Sequence, residues 1–130
     1  MRRADIQFST RGRAVIARLE GELDMSNAGE VGQALAEGTP NDLLALILDL
    51  SSLDYIDTAG IQLIYRLREG LRIRGQELRI VIARSSIAHD ALRLAGVSGY
   101  ADIVETVHQA FQALPSQAAD ADQSRSTGTG

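Results

Sequence analysis

The chain has 130 residues, is 45% hydrophobic and 23% charged, and carries a formal net charge of -4 with a pI near 5.1. That length and apolar content suit one globular domain built on a single core. The absence of cysteine excludes a disulfide framework and a thiolate metal site, and the acidic balance, with three Tyr, two Phe and no Trp, argues against direct nucleic-acid binding.

Two opening strands flank the turn-like "RGR" at 11–13. The second, "AVIARLE" at 14–20, puts Val15, Ala17 and Leu19 on one face and Ile16 on the other. "GELDMSNAG" then leads into a helix that Ser26 is expected to cap and that runs to about Glu37, with Ala28, Val31 and Leu35 as its inner stripe. "TPND" at 39–42 breaks the chain. "LLALILDL" at 43–50 is an almost continuous apolar run of strand length, the pattern of a strand buried on both faces.

A second helix is predicted from Thr58, read as its cap, to Arg74, stopped by Gly75. "ELRIVIA" at 77–83 is a further strand, and "SSIAHDALRLAG" at 85–96 a helix with a Ser cap, a terminal Gly and His89 on its surface. A short strand near Ile103-Val104 and a last helix to about Leu114 complete a domain over 1–114. Residues 115–130, rich in Ser, Ala, Asp and Gly, cannot bury enough surface to offset their ordering entropy, so a disordered polar tail is expected there. The order β-β-α-β-α-β-α-β-α predicts an α/β fold with a mixed, mainly parallel sheet and right-handed crossovers. No stretch approaches the roughly 18 apolar residues that cross a bilayer, so no membrane insertion and a cytoplasmic location are expected.

The second helix has two faces. At 100° per residue, Gly60, Ile64, Leu67 and Leu71 coincide, with Leu63 at their margin, and form the core stripe. Roughly opposite lie Thr58, Gln62, Tyr65, Glu69 and Arg72, at spacings of 4, 3, 4 and 3, flanked by Ile61 and Arg68. Tyr, Arg and an exposed aliphatic are what a protein-binding patch tends to contain; Ile61 alone also fits a broadened core stripe.

Thr58 heads that outward row, directly after Asp57 and two residues before Gly60. Its hydroxyl has three readings: a helix cap, a nucleophile or a phosphate acceptor. A nucleophile needs a base and an oxyanion site, yet the only histidines, His89 and His108, fall in predicted helices, and no nucleophile elbow, phosphate loop or zinc-binding helix motif is present. No enzyme activity, cofactor or metal is therefore expected. A phosphate on Thr58 would meet the N–H groups of a helix N-terminus, where negative charge is favourable.

"EGELD" at 20–24, "LILDLSSLDYIDTAGIQLI" at 46–64, "GQELRIVIA" at 75–83 and "LRLAGV" at 92–97 resemble the STAS domain of bacterial anti-sigma-factor antagonists, over essentially residues 4–114. The resemblance implies partner switching. The unmodified antagonist binds an anti-sigma factor, usually a kinase of the GHKL type, and frees the sigma factor. Phosphorylation of the hydroxyl residue in the Asp-Ser/Thr-x-Gly motif turns it off, and a PP2C-type phosphatase reverses this. Carried over by motif, the acceptor is Thr58, with Asp57 and Gly60 in its loop and Asp24 ordering that loop from a neighbouring one. Thr stands where most members have Ser. The same resemblance also admits a STAS subunit docking on the ATPase of an ABC-type lipid transport system, or a stressosome component, and leaves a monomer or a weak dimer open.

Overall fold

In the computed structural model, which describes residues 4–112, a hairpin opens the fold: β1 (Ala4–Arg11) pairs antiparallel with β2 (Ala14–Leu23). There follow α1 (Ala28–Glu37), β3 (Ala45–Ile56), α2 (Thr58–Ile73), β4 (Glu77–Val81), α3 (Ile87–Leu94), a 3-10 turn at Val97–Gly99, β5 (Asp102–Val104) and α4 (Val107–Gln112). The strands lie in chain order, β1-β2-β3-β4-β5, and every pair after the hairpin is parallel. This is the mixed, mainly parallel α/β architecture that the alternation of elements predicts. The expected polar tail at 115–130 lies outside the described residues.

The two faces of the sheet are covered unequally. The stripes of α1, α2 and α3 (Val31 and Leu35; Leu63, Ile64, Leu67 and Leu71; Leu92) pack on one face against Val15, Ala17 and Leu19 of β2 and Leu46, Leu48 and Leu50 of β3. Ala14, Ile16, Ala45, Ile47 and Val81 form a smaller second core under α4, which contributes Ala110. β3 is thus apolar on both sides, which is why its sequence shows no alternation. Truncating a fully buried side chain such as Leu48 to Ala costs about 2–5 kcal/mol.

β2 and β3 both run further than their apolar patterns announce. Register shifts between Arg18 and Glu20 and between Gly21 and Glu22 let Leu53 and Ile56, three apart, both turn inward. A strict period of two cannot produce that spacing, so "SSLDYI" falls outside the apolar run at 43–50 although it is strand. The extension ends with Leu23 opposite Ile56, and so brings the loop after β2 alongside the first turn of α2.

Candidate functional site

The site begins where those two strands stop. The Asp57 N–H donates to the Leu23 carbonyl at 3.1 Å, prolonging the strand contact by one bond. The Asp57 carboxylate then works in two directions. Oδ1 accepts the Gly60 N–H at 3.1 Å and caps α2, while Oδ2 accepts the Met25 N–H at 3.2 Å and clamps the neighbouring loop. Asp57, not Thr58, is therefore the helix cap. An ionised carboxylate accepts N–H bonds more strongly than a neutral hydroxyl, and here it satisfies donors from two loops. Thr58 is the first helical residue; it is exposed, and its hydroxyl makes no hydrogen bond to the described residues.

The neighbouring loop is ordered by its own polar side chains. Asp24, only 5% exposed, accepts the N–H and the hydroxyl of Ser26 on Oδ1, at 2.8 and 2.6 Å. Ser26 is thus held in a turn by Asp24 and does not cap α1; Asn27 occupies the cap position, without a side-chain cap bond. Instead the Asn27 amide donates to the Glu22 carbonyl at 2.8 Å and accepts from the Asp24 N–H at 3.0 Å, bracing the loop across its neck.

Gly60 allows the two loops to approach. A Cβ there would stand 2.6 Å from Ile56 Cγ1 and 3.1 Å from the Leu23 carbonyl oxygen, the same oxygen that accepts the Asp57 N–H. A side chain at 60 would thus press on backbone that a hydrogen bond already uses.

Along α2 the outward row divides. Gln62 and Tyr65 are exposed, and Ile61 is half-buried and packs against the main core, the role of a broadened core stripe. Further down, the side chains engage the protein itself. The Tyr65 ring meets Tyr100 edge-on at 5.3 Å between centroids, and Arg68 Nε donates to the Tyr100 carbonyl at 3.0 Å. Glu69 bridges Arg68 and Arg72. Hydrogen bonds from the Arg68 and then the Arg72 guanidinium hold the Glu69 carboxyl below its ordinary 4.5, while burial first, then the Tyr65 phenol, pushes Tyr100 up against the opposing pull of Arg68. Arg72 lies about 20 Å from Thr58 along the helix axis, at 1.5 Å per residue. The row is one face, but its far end is not part of the Thr58 turn.

Two features escape a reading of the sequence alone. Met25 is 81% exposed, and its backbone hydrogen bond to Asp57 sets it beside the Thr58 turn. A large apolar residue directly after "GELD" was the available signal. His89, expected on the surface, is half-buried, and its Nδ1 is sequestered without a hydrogen-bond partner among the described residues; it lines a cleft with Ile82, Ile103 and Val104. Among the described residues, no group of three or more His, Cys, Asp or Glu is placed to hold a metal ion, and no helix is long and apolar enough to cross a membrane.

A hairpin-led mixed sheet, three helices on its main face and two loops clamped by one aspartate at the head of α2 define a recognisable class of small α/β domain. Residues 5–110 match the STAS domain family, and the chain belongs to that family. It is 27% identical, over 101 residues covering 77% of this chain and 80% of the relative, to the anti-sigma-F factor antagonist RsfB of Mycobacterium tuberculosis. Its fold is similar to that of an anti-sigma factor antagonist from Mycobacterium paratuberculosis, with a TM-score of 0.76 and 19% identity over 85% of this chain and 93% of that one. It is also similar to the phosphorylated form of the Bacillus cell fate determinant SpoIIAA, with a TM-score of 0.60 and 17% identity over 83% of this chain and 97% of that one.

Proposed function

We propose that this protein is an anti-sigma-factor antagonist. It binds an anti-sigma factor of the GHKL kinase type through the head of α2 and so frees a sigma factor. Phosphorylation of Thr58 by that kinase ends the complex, and a PP2C-type phosphatase restores it. The binding surface is Thr58, Gln62 and the exposed edge of Tyr65, with Met25 beside them and Ile61 at its flank; Arg68, Glu69 and Arg72, of the same outward row, engage one another and Tyr100 and lie at its margin. Asp24, Asp57 and Gly60 fix the loops that present it.

One observation carries this reading: the Thr58 hydroxyl is exposed and unbonded, because Asp57 does the capping. A phosphate can therefore be added without removing a native hydrogen bond. The N–H groups of Thr58 and Ala59 have no intrahelical partners, and the positive end of the helix dipole favours the new charge. The fold survives, and the effect falls on the partner. A nearly dianionic group beside the Asp57 carboxylate, pressed into a complementary surface, must be stripped of water at a cost of about several kcal/mol unless it is paired. Every 1.4 kcal/mol of that cost lowers affinity about tenfold. The 27% identity to RsfB, named as an antagonist of this kind, supports the same conclusion.

Incubation with a purified GHKL-type anti-sigma kinase and ATP, followed by phosphosite mapping, tests the assignment. Phosphate on Thr58, lost in Thr58→Ala, is expected. Phosphate elsewhere with Thr58 untouched would remove the switch from this position.

A further inference from the structure

The sheet has two edges of very different character. β5 spans three residues, too few to template another strand. β1 spans eight, pairs among the described residues with β2 on one side only, and keeps an unbroken register with it from Ala4 to Arg11. A long edge strand is a pairing hazard that proteins usually blunt with proline, a bulge or charge of one sign. "ADIQFSTR" contains no proline, and β1 contains no bulge. Its two charges are of opposite sign and lie three residues either side of Phe8, which is 44% exposed.

That arrangement is self-complementary. If two copies of β1 lie antiparallel with Phe8 on the two-fold axis, Gln7 faces Ser9, Ile6 faces Thr10, and Asp5 faces Arg11 of the other copy, twice. No shift of register by two residues preserves both ion pairs. We propose that β1 is the site of an isologous homodimer in this register, which joins the two sheets into one continuous ten-stranded sheet built from two five-stranded halves. The interface is a small one, of the transient class. Arg11, which lies over the Phe111 ring at 4.9 Å to its centroid, keeps that contact on the α4 face while pairing across the axis. The axis stands perpendicular to the sheet, so α1, α2 and α3 of both copies share one face. Because β3 of one copy runs against β3 of the other, the two Thr58 turns point to opposite ends and both stay open.

The chain has no cysteine, so single-cysteine variants of the full chain report the register directly. In Phe8→Cys the paired Cα atoms stand about 4.5–5.5 Å apart, within disulfide reach. In Ser9→Cys the two cysteines are diagonal neighbours, about 7–8 Å apart and out of reach. Under mild oxidation Phe8→Cys is expected to cross-link and Ser9→Cys not to. Sedimentation between about 1 µM and 1 mM should show a monomer–dimer equilibrium. Asp5→Arg, which leaves the Arg11–Phe111 contact alone, should weaken the dimer about twenty-five-fold, from two cross-strand pairs each worth about fivefold. The double variant Asp5→Arg/Arg11→Asp should restore it. A monomer throughout that range, equal cross-linking of the two cysteine variants, or failure of the double variant to recover would each overturn the proposal.

Discussion

The two halves of α2 carry one continuous outward row but spend it differently. In the C-terminal half, Tyr65 meets Tyr100, Arg68 holds the Tyr100 carbonyl, and Glu69 neutralises two arginines, so the row fastens the helix to the turn before β5. In the N-terminal half, backbone groups are tied down by Asp57 while Thr58 and Gln62 are left exposed. A helix face is thus not a functional unit by virtue of its periodicity. What separates structure from candidate interface is whether the neighbouring elements have already claimed the side chains.

Substitutions at the two ends of the row test this contrast. The largest effect is expected at the head of the helix, where Thr58→Glu should weaken binding to the anti-sigma factor about a hundredfold or more, while Arg72→Ala at the far end changes it less than about threefold; isothermal titration reads both. Equal losses would make the row a single interface. Gly60→Ala should destabilise the fold by about 1–3 kcal/mol in urea unfolding, because the new methyl presses on Ile56 and the Leu23 backbone. Asp57→Ala should cost about 1–2 kcal/mol through the lost cap and raise amide exchange at Met25 as well as at Gly60. Tyr65→Ala should cost about 0.5–1.5 kcal/mol through the lost ring pair with Tyr100.

The smallest effect concerns pH. A carboxyl whose folded pKa is lowered adds stability above its unfolded value and loses it as pH falls through the folded one. The Glu69 contribution is accordingly present above pH 4.5 and disappears below it. Since the group is exposed, salt should screen the effect, and Glu69→Gln should flatten this part of the stability profile.

Much of the fold is legible in the chain because the first half of β3 is a continuous apolar run of strand length and the inner stripes of the helices obey the helical period. Residues 45–48 and Leu50 of the "LLALILDL" run, the Ala28-Val31-Leu35 stripe and Ile64, Leu67 and Leu71 all occupy the core, and Gly60 is buried beside them. Gly75, with φ of +74°, ends α2 as its lack of a side chain allows. The strand extension to Ile56 was not legible, since register shifts break the alternation that announces a strand. The caps were misassigned for a related reason. Thr58 sits next to a stronger acceptor, Asp57, which reaches the free Gly60 N–H first, while Ser26 is held in a turn by Asp24 and no side chain caps α1; a propensity for capping reveals neither arrangement. The motif around Thr58 singles out the head of α2, but the exposure of Met25 and the clamp between the loops depend on pairing between residues more than thirty apart, as in the 32-residue separation of Met25 and Asp57.

In the proposed switch, modification of Thr58 acts on the partner and leaves the fold alone. The most direct measurement compares one preparation before and after stoichiometric phosphorylation, recording affinity for the anti-sigma factor and urea unfolding side by side. A fall in affinity of about a hundredfold or more is expected, with stability unchanged or raised by up to about 1 kcal/mol through the helix dipole. A phosphoprotein that binds as before, or one that loses binding only because α2 has melted, would contradict it.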